Sequence, residues 1–186
     1  LTLMHRAGLR VITFGVESIS PETLRKVARR PTPEAHMRLI VDKCRGLGIS
    51  TAGDYVFGFL PDTWNSIAAT IDYAISLGTT FAQFKILTPY PGTPLWKQFA
   101  PLVTETDWQK FDGYTPTFRH PNLTSDELRF LLGAAYARFY GRPSWMANYL
   151  RISQPSIRRW VTRLDTKALA AHSRKECDLM TRPVTC

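Results

Sequence analysis

The sequence is poor in cysteine and acid, and it contains no long apolar run. Three cysteines in 186 residues, Cys44, Cys177 and Cys186, cannot build a disulfide framework, and none stands at C-x-x-C spacing. A reducing compartment is the default for such usage, so the expected location is cytoplasmic. No segment approaches the roughly 20 apolar residues of a membrane span, and His5, Arg6 and Arg10 break the start where a secretory segment needs apolar continuity. Histidines 5, 36, 120 and 172 lack metal-ligand spacing and are expected in surface or locally satisfied roles, so no metal site is assigned. There is no G-x-S-x-G, Walker loop or H-E-x-x-H. Acids number 15 against 24 Lys and Arg, a net charge of +9, of which residues 151–186 supply +5. The basicity is mostly a property of the tail. A hydrophobic content of 44% with 21% charged residues excludes wholesale disorder. The length suits one domain with an appendage and is short for a closed eight-fold β/α barrel of about 200 to 250 residues.

What is present is an alternation of strands and helices. Residues 10–16, R-V-I-T-F-G-V, form a β-branched run expected in a parallel strand covered on both faces. Ser20-Pro21-Glu22 supplies an N-cap, a proline at the first helical position and an acid in the first turn, giving a short helix to about Arg30-Pro31. Thr32-Pro33-Glu34 repeats the signal, and Met37, Ile40, Val41, Cys44 and Leu47 follow at helical spacing until Gly46 and Gly48. Residues 50–59 are the second strand. Pro61-Asp62-Thr63 opens a helix with Trp64, Ile67, Ala68, Ile71, Ala74 and Ile75 on one face, and Asp62 is read as its N-cap. Gly78 closes it. Residues 81–87 are the third strand, and 88–94 is too rich in Pro and Gly to continue. Residues 96–120 show no period. Thr124-Ser125-Asp126-Glu127 is a capping box for a helix to about Tyr140, and residues 156–172 have a further helical pattern. The organisation expected is 1–95 as a β/α unit, 96–150 as an extension with one capped helix, and 151–186 as a basic tail.

Parallel α/β folds bind ligands beyond the carboxyl ends of their strands. That selects Gly15 to Ser18, Gly58 to Thr63 and Thr88 to Thr93. Glu17 offers a carboxylate for ribose hydroxyls or an ammonium, or else a structural ion pair; Gly15 lets a ligand approach the backbone. Gly58 marks either close ligand approach or a tight barrel position.

Three segments in this order resemble the later half of the catalytic barrel of radical S-adenosylmethionine (SAM) enzymes, in the branch with a cobalamin-binding domain upstream. Met4-His5-Arg6-Ala7-Gly8 with Phe14-Gly15-Val16-Glu17-Ser18 resembles M-x-x-A-G…F-G-V-E-S. Val56 through Thr63 is similar to F-x-x-G-x-P-G-E-T, with Leu-Pro-Asp where Pro-Gly-Glu is usual. Thr88-Pro89-Tyr90-Pro91-Gly92-Thr93-Pro94-Leu95 resembles the last barrel loop, and the likeness extends through His120-Pro121-Asn122 to about residue 140. The resemblance implies an α/β fold, the second half of a partial (β/α)6 TIM-like barrel with three parallel strands, followed by a helical C-terminal extension. It implies SAM contacts at Gly15, Glu17, Ser18, Gly58 and Asp62, with Tyr90, Pro91, Gly92 and Thr93 on the cobalamin or substrate side. The implied cofactors are SAM, a 4Fe-4S cluster and cobalamin, and the implied chemistry is methyl transfer or a related radical reaction on an unactivated carbon of a small-molecule or lipid-like substrate.

The C-x-x-x-C-x-x-C triplet that holds the cluster is absent, so no catalytic residue is assigned here and the chain alone is expected to be inactive. A piece whose partner is the missing N-terminal half of the barrel is the leading expectation; a degenerate, non-catalytic homologue is the alternative. A competing reading treats Arg158, Arg159, Trp160 and Arg163 as part of a nucleic-acid-binding module, against a helix with a solvated basic face, which is preferred. A docking helix built on Ile157, Trp160, Val161 and Leu164 is the third.

Overall fold

In a computed structural model, the structure describes residues 1–26, 30–150 and 153–154. The chain divides into two compact units, residues 1–145 and 146–186. The basic segment 156–172 lies outside the described residues. In the second unit, residues 146–150 and 153–154 are helical, and the Ser153 hydroxyl donates back to the Tyr149 carbonyl at 2.6 Å.

The first unit is built on β1 (Val11–Glu17), β2 (Ser50–Phe57) and β3 (Phe81–Ile86), parallel and in the order β1-β2-β3. The helices are α1 (Thr2–Arg6), α2 (Pro21–Lys26), α3 (Glu34–Gly46), α4 (Trp64–Leu77), the single-turn α5 (Trp96–Phe99) and α6 (Ser125–Tyr140). Several expected boundaries shift for identifiable reasons. The N-cap of α3 is Pro33, which has no side-chain bond to give, rather than Thr32. Thr63, not Asp62, caps α4, in a reciprocal capping box with Ser66. Strand β2 stops at Phe57 because Gly58 takes φ +92° and turns the chain. The segment expected to be irregular contains α5, two 3-10 turns and a lone bridge between Val103 and Phe118.

One face of the sheet is packed. Tyr55 and Phe57 of β2 and Ala82, Phe84 and Ile86 of β3 lie against Ile67, Ile71 and Ala74 of α4 and against Leu128, Leu131, Ala135 and Phe139 of α6. The alternation of period two in the strands and of 3.6 in the helices produces this layer. Each large side chain buried there contributes about 1.5–3 kcal/mol. The opposite face is not covered as the apolar run in β1 suggested: Thr13 and Gly15 are exposed, and Val11 is 53% exposed.

The two edges of the sheet are treated differently. At β3 the hydroxyl of Tyr140 accepts from Ala82 N–H at 3.0 Å and donates to Ala82 C=O at 2.6 Å, and Tyr136 does the same at Phe84. Gly113 C=O takes the Ile86 N–H at 2.7 Å. Side chains of α6 thus stand in for a fourth strand, which closes this edge. Tyr140→Phe removes both bonds at Ala82 and is expected to cost about 1–2 kcal/mol, read as a lower thermal midpoint. Much of the first unit's basicity is structural as well. Arg142, Arg38 and Arg45 donate to the carbonyls of Ile75, Ser76 and Gly78 at the C-terminus of α4, where the helix dipole favours cations.

Candidate functional site

The loop after β1 carries the strongest local anomaly. Glu17 has φ +63°, the one residue other than glycine with positive φ among the described residues. The strand register slips between Gly15 and Glu17, leaving Val16 as the extra residue of a bulge. This backbone swings the Glu17 side chain back across Gly15, where a Cβ would meet its Oε1 at 2.7 Å. Gly15 therefore makes room for the carboxylate. A left-handed conformation in a non-glycine residue costs on the order of 1–2 kcal/mol, and it holds this carboxylate on the open face of the sheet. Beside it opens a cavity of about 470 Å³ lined by Gly15, Glu17, Ser18, Met37 and Tyr73 among others. Ser18 is buried, and its hydroxyl accepts from Ser20 N–H at 3.1 Å, which fixes the turn into α2.

The loop after β2 is organised around Asp62. This carboxylate is 2% exposed; Oδ2 accepts from the N–H groups of Gly58 at 3.0 Å and Phe59 at 3.1 Å, and Oδ1 accepts from the Thr23 hydroxyl at 3.3 Å. Burial raises its pKa, opposed by these three hydrogen bonds and the nearby His120. His120 is buried as well. Its Nδ1 accepts from Asn122 N–H at 3.1 Å, so Nε2 carries the proton toward Phe59 C=O at 2.8 Å. The Asn122 amide donates to Leu60 and Asp62 carbonyls. One buried network thus ties α2, the 58–62 loop and the segment before α6. At Gly58 an added Cβ would make only ordinary contacts with Leu128, Phe118 and Ile86, so the positive φ, and not a close approach, requires glycine.

The loop after β3 is a tight turn. Thr93 N–H and hydroxyl both reach Tyr90 C=O, at 3.3 and 2.7 Å, with Gly92 at φ +83°. The Tyr90 hydroxyl donates to Phe111 C=O at 2.8 Å and leaves the ring half exposed, beside exposed Pro91, Gly92 and Thr93.

The structure adds residues that sequence reasoning passed over. The register pairs Gly15 with Asp54 and Asp54 with Gln83, and Val56 with Lys85, on the face opposite the helices. Glu17, Asp54, Gln83 and Lys85 thus put polar groups across all three strands of the open face. The available signal was the i, i+2 spacing of Asp54 and Val56, and of Gln83 and Lys85, in strands whose intervening residues are apolar.

A parallel sheet with one helix-covered face and with its candidate loops at the carboxyl ends of the strands belongs to the α/β class, in which that end is the ligand side. No protein-family model matches the chain. The chain is 34% identical over 142 residues to an uncharacterized methyltransferase of Pyrococcus horikoshii, covering 75% of this chain and 31% of that protein. It is 28% identical over 161 residues to bacteriochlorophyllide d C-12(1)-methyltransferase of Chlorobaculum tepidum, covering 80% and 35%. The fold matches coproporphyrinogen III oxidase of Escherichia coli, a radical SAM enzyme, with a TM-score of 0.51 and 19% identity over 74% of this chain and 28% of that one. The chain is thus similar to methyltransferases over at least three-quarters of its length and shares its fold with a radical SAM enzyme. It spans about a third of the length of the curated relatives it matches.

Proposed function

We propose that this chain supplies the later half of a radical SAM catalytic barrel, that Glu17 and the adjoining cavity hold SAM, and that the complete enzyme transfers a methyl group to an unactivated carbon with cobalamin as a further cofactor, or carries out a related radical reaction. The observation that carries this reading is the Glu17 carboxylate, held by a left-handed backbone over Gly15, where both residues line the 470 Å³ cavity. A carboxylate so placed accepts hydrogen bonds from vicinal ribose hydroxyls. Ser18 and the Asp62 network hold the two flanking loops in register, and the packed helices keep water from the back of the sheet.

The residues present do not fit an iron–sulfur cluster. Cys44 is fully buried in α3 and burial raises the pKa of its thiol, disfavouring the thiolate a cluster needs. Cys177 and Cys186 lie outside the described residues, and among the described residues no group of three His, Cys, Asp or Glu is placed to hold a metal ion. The cluster ligands are proposed to lie in the other half of the barrel. A cluster held there would supply the electron for reductive cleavage of SAM, and Glu17 of this chain would hold the nucleoside part. For the substrate we propose a tetrapyrrole bearing a free carboxylate, on the strength of the bacteriochlorophyllide methyltransferase relative.

Methyl-deuterated SAM tests the reading. In the complete, anaerobically reconstituted enzyme, the label is expected in a bacteriochlorophyllide product, and the 186-residue chain alone is expected to yield none and to bind no iron. A complete enzyme with an intact cluster that leaves all label in SAM contradicts it.

A further inference from the structure

We propose that Lys85 is a specificity-determining residue that binds a carboxylate of the substrate on the open face of the sheet, with Asp54 beside it setting the strength of that contact. The inference rests on the function proposed above, which assigns neither residue.

Lys85 sits in the last turnward row of β3, one residue before its end, and its Cα partner is Val56. Gly113, with φ +81°, borders its methylenes: a Cβ there would make ordinary contacts with Lys85 Cδ, Cγ and Cβ at 3.4, 3.8 and 4.0 Å, and the Gly113 carbonyl is pinned by the Ile86 N–H. Asp54 lies on the neighbouring strand one row earlier, beside Gln83, whose amide donates to the Tyr114 hydroxyl at 3.3 Å. Both charged residues are half-buried, and among the described residues neither side chain makes a hydrogen bond or a close ion pair. The charge of Lys85 is nevertheless felt at Asp54, where it lowers a carboxyl pKa that burial raises.

A half-buried ammonium on the open face, without a close anion, is completed by an anionic ligand. Asp54 is too far to close the pair and close enough to weaken an incoming carboxylate by like-charge repulsion. The two substitutions therefore act in opposite directions. The row spans three strands, about 10 Å at the usual spacing, which accommodates a planar macrocycle with its acidic edge at β3.

The test uses the complete enzyme and two probes, protoporphyrin IX and its dimethyl ester, which differ in carboxylate charge, with binding followed by absorbance titration. The wild type is expected to bind the acid more tightly than the ester by roughly 10- to 100-fold, the range of a charge-assisted hydrogen bond. Lys85→Gln should equalise the two, Lys85→Arg should keep the preference, and Asp54→Asn should tighten the acid alone. Unchanged thermal midpoints show that the variants fold. Equal binding by the wild type, or a preference that survives Lys85→Gln, overturns the inference while leaving the tetrapyrrole reading intact. Failure of both probes to bind overturns the tetrapyrrole reading, and this inference with it.

Discussion

Asp62→Ala lowers the stability of the fold by about 3–5 kcal/mol, because it strands two backbone N–H groups and a threonine hydroxyl in a buried site. Asp62→Asn costs far less: the amide oxygen can keep both N–H groups while the amide nitrogen donates to Thr23 Oγ1. Urea unfolding of the two variants distinguishes this positioning role from direct recognition of a cation, for which the asparagine variant would keep its stability and lose ligand. The pH dependence follows from the raised carboxyl. Asp62 binds its proton more tightly folded than unfolded, so the stability this proton adds is fully present below the ordinary value of 3.8 and is lost as pH rises through the higher folded value, leaving the hydrogen bonds of the carboxylate. Asp62→Asn should remove that decline. An Asp62→Ala variant as stable as the wild type would show that the 58–62 loop is not held as described.

If Glu17 holds SAM as proposed, Glu17→Ala is expected to weaken SAM binding by roughly 10- to 100-fold, the loss of charge-assisted bonds to a ribose. Gly15→Ala should cause a smaller loss although it leaves the carboxylate in the sequence, since the new methyl would stand 2.7 Å from Glu17 Oε1 and the flexible end of that side chain must shift. The pair separates a ligand contact from a backbone contact. If Gly15 mattered only by letting the ligand approach, Gly15→Ala would leave the Glu17 contribution in place, and Glu17→Ala would still weaken the Gly15→Ala protein. Isothermal titration of the double variant reads this directly: a double variant no worse than Glu17→Ala alone is expected.

The strands, the long helices and the capping box of Thr124 with Glu127 were legible because local chemistry decides them. The apolar alternation, Gly78 in a left-handed cap and Thr124 with Glu127 need no partner from elsewhere in the chain. Asp62 was misread for the opposite reason. A carboxylate before a helix looks like a cap, and only the fold shows Thr63 taking that role while Thr23, 39 residues away, fixes the acid inward. His120 carried no long-range signal; its burial depends on a contact with Phe59, 61 residues away. Tyr136 and Tyr140 read as ordinary members of an amphipathic helix, yet their hydroxyls close a sheet edge. The candidate loops were legible as strand ends, whereas the open-face row from Glu17 to Lys85 needed the register of three strands and a bulge.

The most direct measurement is the 5′-deoxyadenosine formed from SAM by the complete enzyme, purified anaerobically with its cluster intact, and by its Glu17→Ala variant. The wild type should form the nucleoside under reducing conditions, and the variant should lose about tenfold or more of that activity at subsaturating SAM. No 5′-deoxyadenosine from the wild type, or equal yields from the two proteins, would contradict the assignment of Glu17 and its cavity to SAM.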